Sequence, residues 1–88
     1  MKIIETARFR ASFEKLQKLT KQKVKKRFQL FLENIFHPSL HTEKLEPRHK
    51  NIWSFRVDRN YRVIFSPSSQ DTILLLDIGP HDIYRKIR

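Results

Sequence analysis

The sequence predicts an α+β fold in which an N-terminal strand and a two-helix hairpin pack on a small, mainly antiparallel sheet, in the order β-α-α-β-β-β. Three observations carry this prediction. Apolar residues recur at helical spacing as far as residue 36, and from Ile52 onward the period changes to two. With 88 residues and 39% hydrophobic content, the chain is long enough for one compact core and too short for a second. A single domain over residues 1–88 is therefore expected.

Lys2 to Glu5 reads as a short strand, and Thr6 is placed to cap a first helix near residues 7–19, in which Phe9, Phe13, Leu16 and Leu19 share a face. Thr20 is the expected cap of a second helix whose apolar stripe is Val24, Phe28, Phe31 and Ile35, with the basic residues largely off it. That helix should end near Phe36, because Pro38 disfavours helical geometry at His37. Two helices with almost no linker suggest an antiparallel hairpin laid on an apolar surface. A short extra strand fits near Lys44 to Glu46. Further on, Trp53, Phe55 and Val57 alternate with Ser54 and Arg56, and Tyr61, Val63 and Phe65 alternate with Arg62 and Ile64, as in half-buried strands. Ser66, Pro67, Ser68 and Ser69 read as a turn. Thr72 to Ile78 is apolar at nearly every position, as in a central strand covered on both faces, and Gly79, the only glycine, marks its expected end with Pro80.

Strand parity constrains the register. For Trp53, Phe55 and Val57 to share a face with Tyr61, Val63 and Phe65, directly paired residues must have numbers of matching parity. A two-residue turn at Arg59-Asn60 breaks this rule; a three-residue loop, Asp58 to Asn60, satisfies it and pairs Val57 with Tyr61, Phe55 with Val63 and Arg56 with Arg62. The two arginines then face each other on the side away from the helices. Like charges directly opposite are destabilising, so either an anion sits between or above them, or one of them pairs with Asp58, Asp77 or Asp82.

Lys and Arg number 19 against 9 Asp and Glu, a formal charge of +10, which suggests a polyanionic partner and nucleic acid first. Ten of these basic residues and only two acids fall in residues 1–32, so the excess is concentrated there. Lys21, Lys25 and Lys26 of the second helix are candidate RNA contacts, against the plainer reading of a solvated helix face. The absence of cysteine excludes disulfides, a thiolate nucleophile and cysteine zinc sites. His37 and His41 are four apart, but Pro38 lies between them, and no metal or other cofactor is expected. Without an apolar run of spanning length or a leader-like N-terminus, a cytoplasmic protein with no membrane partner is expected.

At the end of the last strand, His81 and Tyr84 are released near a sheet edge. RNA cleavage by its own 2'-OH requires removal of that proton, stabilisation of the charge on the phosphorane and protonation of the leaving 5'-oxygen. His81 suits the acid or base and Arg62 the charge stabiliser. Tyr84 suits stacking on a base, or plugs the edge of the core. Lys44, Glu46, Arg48, His49 and Lys50 precede the Arg56 strand and can line the same groove, with Glu46 the carboxylate placed for a general base; a solvated loop is the alternative.

These residues carry a family resemblance. The order of elements, the segments Trp53-Ser54-Phe55-Arg56-Val57 and Tyr61-Arg62-Val63-Ile64-Phe65, and Gly79 ahead of His81 and Tyr84 resemble the RelE/ParE superfamily of bacterial and archaeal toxins, over almost the whole chain. The resemblance implies metal-independent cleavage of messenger RNA on the ribosome, with Arg62 on the scissile phosphate, His81 in the histidine-bearing version of the site, and an aromatic such as Tyr84 closing it. It also implies a cognate antitoxin, expected to be acidic, and the ribosome as a second partner. ParE-like members of the superfamily inhibit DNA gyrase and do not cut RNA; His81 and Tyr84 argue against that branch.

Overall fold

The computed structural model describes residues 1–45, 51–80 and 83. Its elements are β1 (Lys2–Glu5), α1 (Ala7–Glu14), α2 (Lys18–Glu33), a 3-10 turn (Pro38–Leu40), β2 (Glu43–Lys44), β3 (Trp53–Arg56), β4 (Tyr61–Ser69) and β5 (Thr72–Pro80). The strands form one sheet in the order β1-β5-β4-β3-β2, in which β1 and β5 are parallel and every other pairing is antiparallel. The α+β architecture is the one expected. Among the described residues no helix is long and apolar enough to cross a membrane.

The first helix is shorter than the apolar spacing predicts, and the second starts and ends earlier. Thr6 caps α1 as expected, its hydroxyl oxygen accepting from the Phe9 amide, and the same hydroxyl donates to the Leu75 carbonyl at 2.8 Å, tying the cap to β5. However, α1 stops at Glu14 and the chain restarts at Gln17, which has extended geometry, so Gln17 and not Thr20 holds the cap position of α2. The apolar spacing carried through this break because Leu16 still packs on the core, while Leu19 is exposed. At the other end α2 stops at Glu33, short of Phe36. Asn34 turns extended, and its side-chain oxygen accepts from the Phe36 amide at 3.0 Å, a local bond that competes with another helical turn.

The strands correct two further expectations. Ser66 to Ser69 is not a turn: β4 continues to Ser69, and the chain reverses at Gln70-Asp71. Pro67 is tolerated because β4 there outruns β3 and has a neighbour only in β5, beside an irregularity in the β4–β5 ladder. Nor do Gly79 and Pro80 follow the last strand; both belong to β5, opposite Arg62 and Tyr61. Gly79 is there because Ile83 folds over it: a methyl group at Gly79 would collide with the end of the Ile83 side chain.

The core lies between the helices and one face of the sheet. Phe31, fully buried, stacks on Phe55 with ring centroids 4.7 Å apart and meets Phe65 edge-on at 4.9 Å, and Phe9, Val24, Val57, Val63, Leu75 and Ile78 close around them. A smaller cluster of Leu45, Ile64 and Ile83 sits on the opposite face. Between Leu75 and Asp77 the β4–β5 register shifts, leaving Leu76 as an extra residue. Asp77 consequently addresses α1, accepting from Ser12 at 2.6 Å and pairing with Arg8 at 2.9 Å.

Candidate functional site

The face of the sheet away from the helices carries Arg56, Arg62 and Glu43. Register there follows the parity argument: Trp53 pairs with Phe65, Phe55 with Val63 and Arg56 with Arg62, and β5 adds Gly79 opposite Arg62. Arg56, Arg62 and Gly79 thus form one row across three strands. The helix-side residues of the same strands, Phe55, Val63 and Phe65, belong to the main core, which leaves both arginines on the other face.

Loop geometry holds this register. The Asp58 carboxylate accepts from the Asn60 amide at 2.8 Å and the Tyr61 amide at 2.9 Å, and the Val57 amide donates to the Tyr61 carbonyl. Burial alone would raise the Asp58 carboxyl; the two amide hydrogen bonds, with the hydrogen bond and charge of Lys23, outweigh it and hold the group below its ordinary range. Lys23 reaches Asp58 from α2, and one turn further along the helix Arg27 Nε donates to the Val57 carbonyl at 3.1 Å. The second helix is thereby fastened to the loop that sets the arginine pair.

Arg62 is only 14% exposed, and its Nη1 donates to Glu43 Oε1 at 2.8 Å. This ion pair was not foreseen. Of the expected partners, Asp58 is committed to its loop and to Lys23, Asp77 is committed to α1, and Asp82 lies outside the described residues. Glu43 is within reach because β2 pairs with β3, placing Glu43 opposite Ser54. The following residue, Lys44, lies opposite Trp53 and so points to the other face, away from the arginines. Among the described residues neither Arg56 nor Arg59 has a hydrogen-bond or ion-pair partner.

The remaining predicted site residues divide into two groups. Glu46, Arg48, Lys50, His81 and Tyr84 lie outside the described residues. Lys21, Lys25 and Lys26 belong to α2, on the helix layer, and are not brought together with Arg56 and Arg62; Lys21 stands 3.6 Å from Glu14 and over the Phe13 ring. His37 caps the 3-10 turn, its Nδ1 accepting from the Ser39 amide, and His41 closes that turn with a left-handed backbone. Among the described residues no cluster of His, Asp or Glu could hold a metal ion.

Sequence reasoning missed Glu43 and Arg27. For Arg27 a signal existed, since it follows Lys23 by one helical turn and shares its face. For Glu43 there was none beyond its being the other carboxylate near Glu46.

The sequence matches, over residues 3–83, the profile of the family described as ParE toxin of type II toxin-antitoxin system, parDE. No curated protein matches it. Solved structures of other toxins share its fold, among them the following three. The YoeB/ParE toxin from Agrobacterium tumefaciens has a TM-score of 0.77 and 16% identity, covering 92% of this chain and 99% of that one. The archaeal RelE-RelB complex from Pyrococcus horikoshii OT3 gives 0.73 and 18%, covering 92% and 94%. The DinJ-YafQ toxin-antitoxin complex of Escherichia coli gives 0.73 and 17%, covering 90% of each chain. Such identities establish likeness of fold, and the profile match over nearly the whole chain establishes kinship: the protein belongs to the ParE toxin family of type II toxin-antitoxin systems, within the RelE/ParE superfamily.

Proposed function

We propose that this toxin is an endoribonuclease that cuts messenger RNA on the ribosome, without a metal or other cofactor, by attack of the RNA's own 2'-OH. The observation that supports it best is the half-buried Arg62, set beside Arg56 and bonded to the Glu43 carboxylate. A guanidinium with restricted access to water is a strong stabiliser of phosphorane charge, and a carboxylate at its edge is a base within reach of the same phosphate.

In this reading Glu43, in place of the Glu46 expected from sequence, takes the 2'-OH proton as the 2'-oxygen bonds to phosphorus. Arg62 and Arg56 bind the phosphorane oxygens. The bond to the 5'-oxygen then breaks, and His81 supplies the proton that this oxygen needs, leaving a 2',3'-cyclic phosphate and a 5'-OH. Tyr84 stacks on the base beside the cut. RNA must displace Glu43 from its bond with Arg62, which keeps the arginine's charge compensated while the site is empty.

A chain of +10 calls for an acidic antitoxin, and the RelE and YafQ structures like it in fold were solved with their partners RelB and DinJ. The match to the ParE family favours a second reading, a non-catalytic inhibitor of DNA gyrase. Induction in cells with mapping of messenger RNA 5'-ends separates the two. New ends that disappear with Arg62→Ala and His81→Ala support the nuclease. Growth arrest that survives both substitutions, with no new ends, would sink it.

A further inference from the structure

Beside the arginine pair, where β3 meets the 3-10 turn and α2, lies an open groove lined by Arg27, Ser39, His41, Arg56, Asp58 and Arg59. Its composition is unbalanced: three arginines and a histidine against one carboxylate. That carboxylate is already engaged by two backbone amides and Lys23, so it does not neutralise the arginines. Arg27 is held in place by the carbonyls of Val57, at 3.1 Å, and Ser39, at 3.5 Å. A guanidinium has five N–H donors, so these two bonds leave about three for a ligand, on a side chain whose position is fixed before the ligand arrives. Among the described residues Arg56 and Arg59 have no partners, and Arg56 is the direct neighbour of Arg62.

We propose that this groove is a second phosphate subsite, which holds the phosphodiester next to the one on Arg62 in a single-stranded RNA. The identity of the ligand rests on the nuclease reading above; the existence of an anion site does not. Adjacent strands are roughly 5 Å apart, so a chain that leaves Arg62 along the row toward Arg56 reaches the groove within about one nucleotide. The groove sets the direction of the strand: RNA crosses the sheet from β5 over Arg62 and Arg56 and leaves past the tip of the β3–β4 loop, where Arg59 stands. Arg27 brings the middle of α2 into contact with RNA, and the exposed lysines Lys25 and Lys26 are not needed for this contact.

The test uses fluorescently labelled 2'-O-methyl oligouridylates of two and four residues, which cannot be cleaved because the 2'-OH is blocked. Binding to the purified toxin is followed by anisotropy at several salt concentrations. In the wild type the four-residue probe should bind about tenfold more tightly than the two-residue probe. In Arg59→Gln combined with His41→Asn, both changes at exposed positions and the asparagine suited to the left-handed backbone of residue 41, that ratio should fall below about threefold. The slope of log affinity against log salt should drop by about 0.7 for the phosphate lost. An unchanged ratio and slope would overturn the subsite. So would loss of hexaglutamate binding with no change for the oligonucleotides, which would assign the groove to an acidic protein segment. Occupancy and cleavage are read separately: a ratio that falls as expected in a protein that cuts no RNA keeps the subsite and discards the nuclease, and RNA cleavage with an unchanged ratio does the reverse.

Discussion

On the helix-covered face of the sheet, Phe55 and Phe65 meet Phe31, and with Val63 they are almost entirely withdrawn from water; on the other face the same strands present Arg56 and Arg62, with Glu43 on the neighbouring strand. The first face is held by area and shape, the second by a few charges and a cluster of three buried residues. Each strand therefore serves two purposes by alternation alone. Substitutions at Phe55, Val63 and Phe65 should act on stability, and those at Arg56 and Arg62 on ligand chemistry.

The largest expected effect lies on the covered face. Phe31→Ala removes the ring that both Phe55 and Phe65 pack against and should cost about 3–5 kcal/mol, a large share of the roughly 5–15 kcal/mol typical of a folded domain. Urea unfolding followed by circular dichroism measures it. Ile64→Ala, equally buried but on the open face, should cost less, about 2 kcal/mol, because its small cluster can close over the gap. Equal losses at the two positions would break the comparison.

A smaller total effect, confined to function, is expected at Glu43. Glu43→Gln keeps the side chain's shape but removes its charge and basicity, so cleavage of RNA should fall about a hundredfold while the urea midpoint barely moves, the pair being more than half exposed at Glu43. RNA affinity should rise, since Arg62 no longer has a competing anion. A variant that cleaves as fast as the wild type would reduce Glu43 to a countercharge for Arg62.

The same contrast explains what could be read in advance. Arg56 opposite Arg62 was legible because parity and loop length leave one register that keeps Trp53, Phe55 and Val57 on the core side, and a slip of one residue would expose them all. Glu43 was not legible. It lies in a strand of two residues, too short to show a period, and meets Arg62 through a pairing with β3 that local pattern does not encode. The bulge at Leu76, which turns Asp77 toward Ser12 and Arg8, likewise leaves no trace in a run that is apolar at nearly every position. The helix ends were misplaced for the opposite reason: Leu16 and Ile35 still pack on the core after the backbone has left the helix, so the apolar spacing outlasts the helix itself. In each case what failed was the step from local spacing to a contact made elsewhere in the sheet.

The smallest effect is expected at Asp58, where the two faces are joined, since its loop sets the arginine register and its partner Lys23 comes from the helix layer. Its carboxyl is held below the ordinary range in the folded state, so its contribution to stability is complete above the unfolded-state value and is lost as pH falls through the folded one. Asp58→Asn keeps an oxygen for the Asn60 and Tyr61 amides but loses the charge, at a cost of less than about 1 kcal/mol near neutral pH, as Lys23 is largely exposed. The difference in urea midpoint between wild type and Asp58→Asn should therefore be greatest at pH 6–7 and shrink as the solution is taken below the ordinary aspartate range. Asp58→Ala, which also gives up both amide bonds, should lose about 1–3 kcal/mol near neutral pH and less in acid and, by loosening the register of Arg56 against Arg62, should slow RNA cleavage as well. If Asp58→Ala destabilises the protein but leaves cleavage untouched, the loop supports only the fold, and the arginine pair is positioned by the sheet alone.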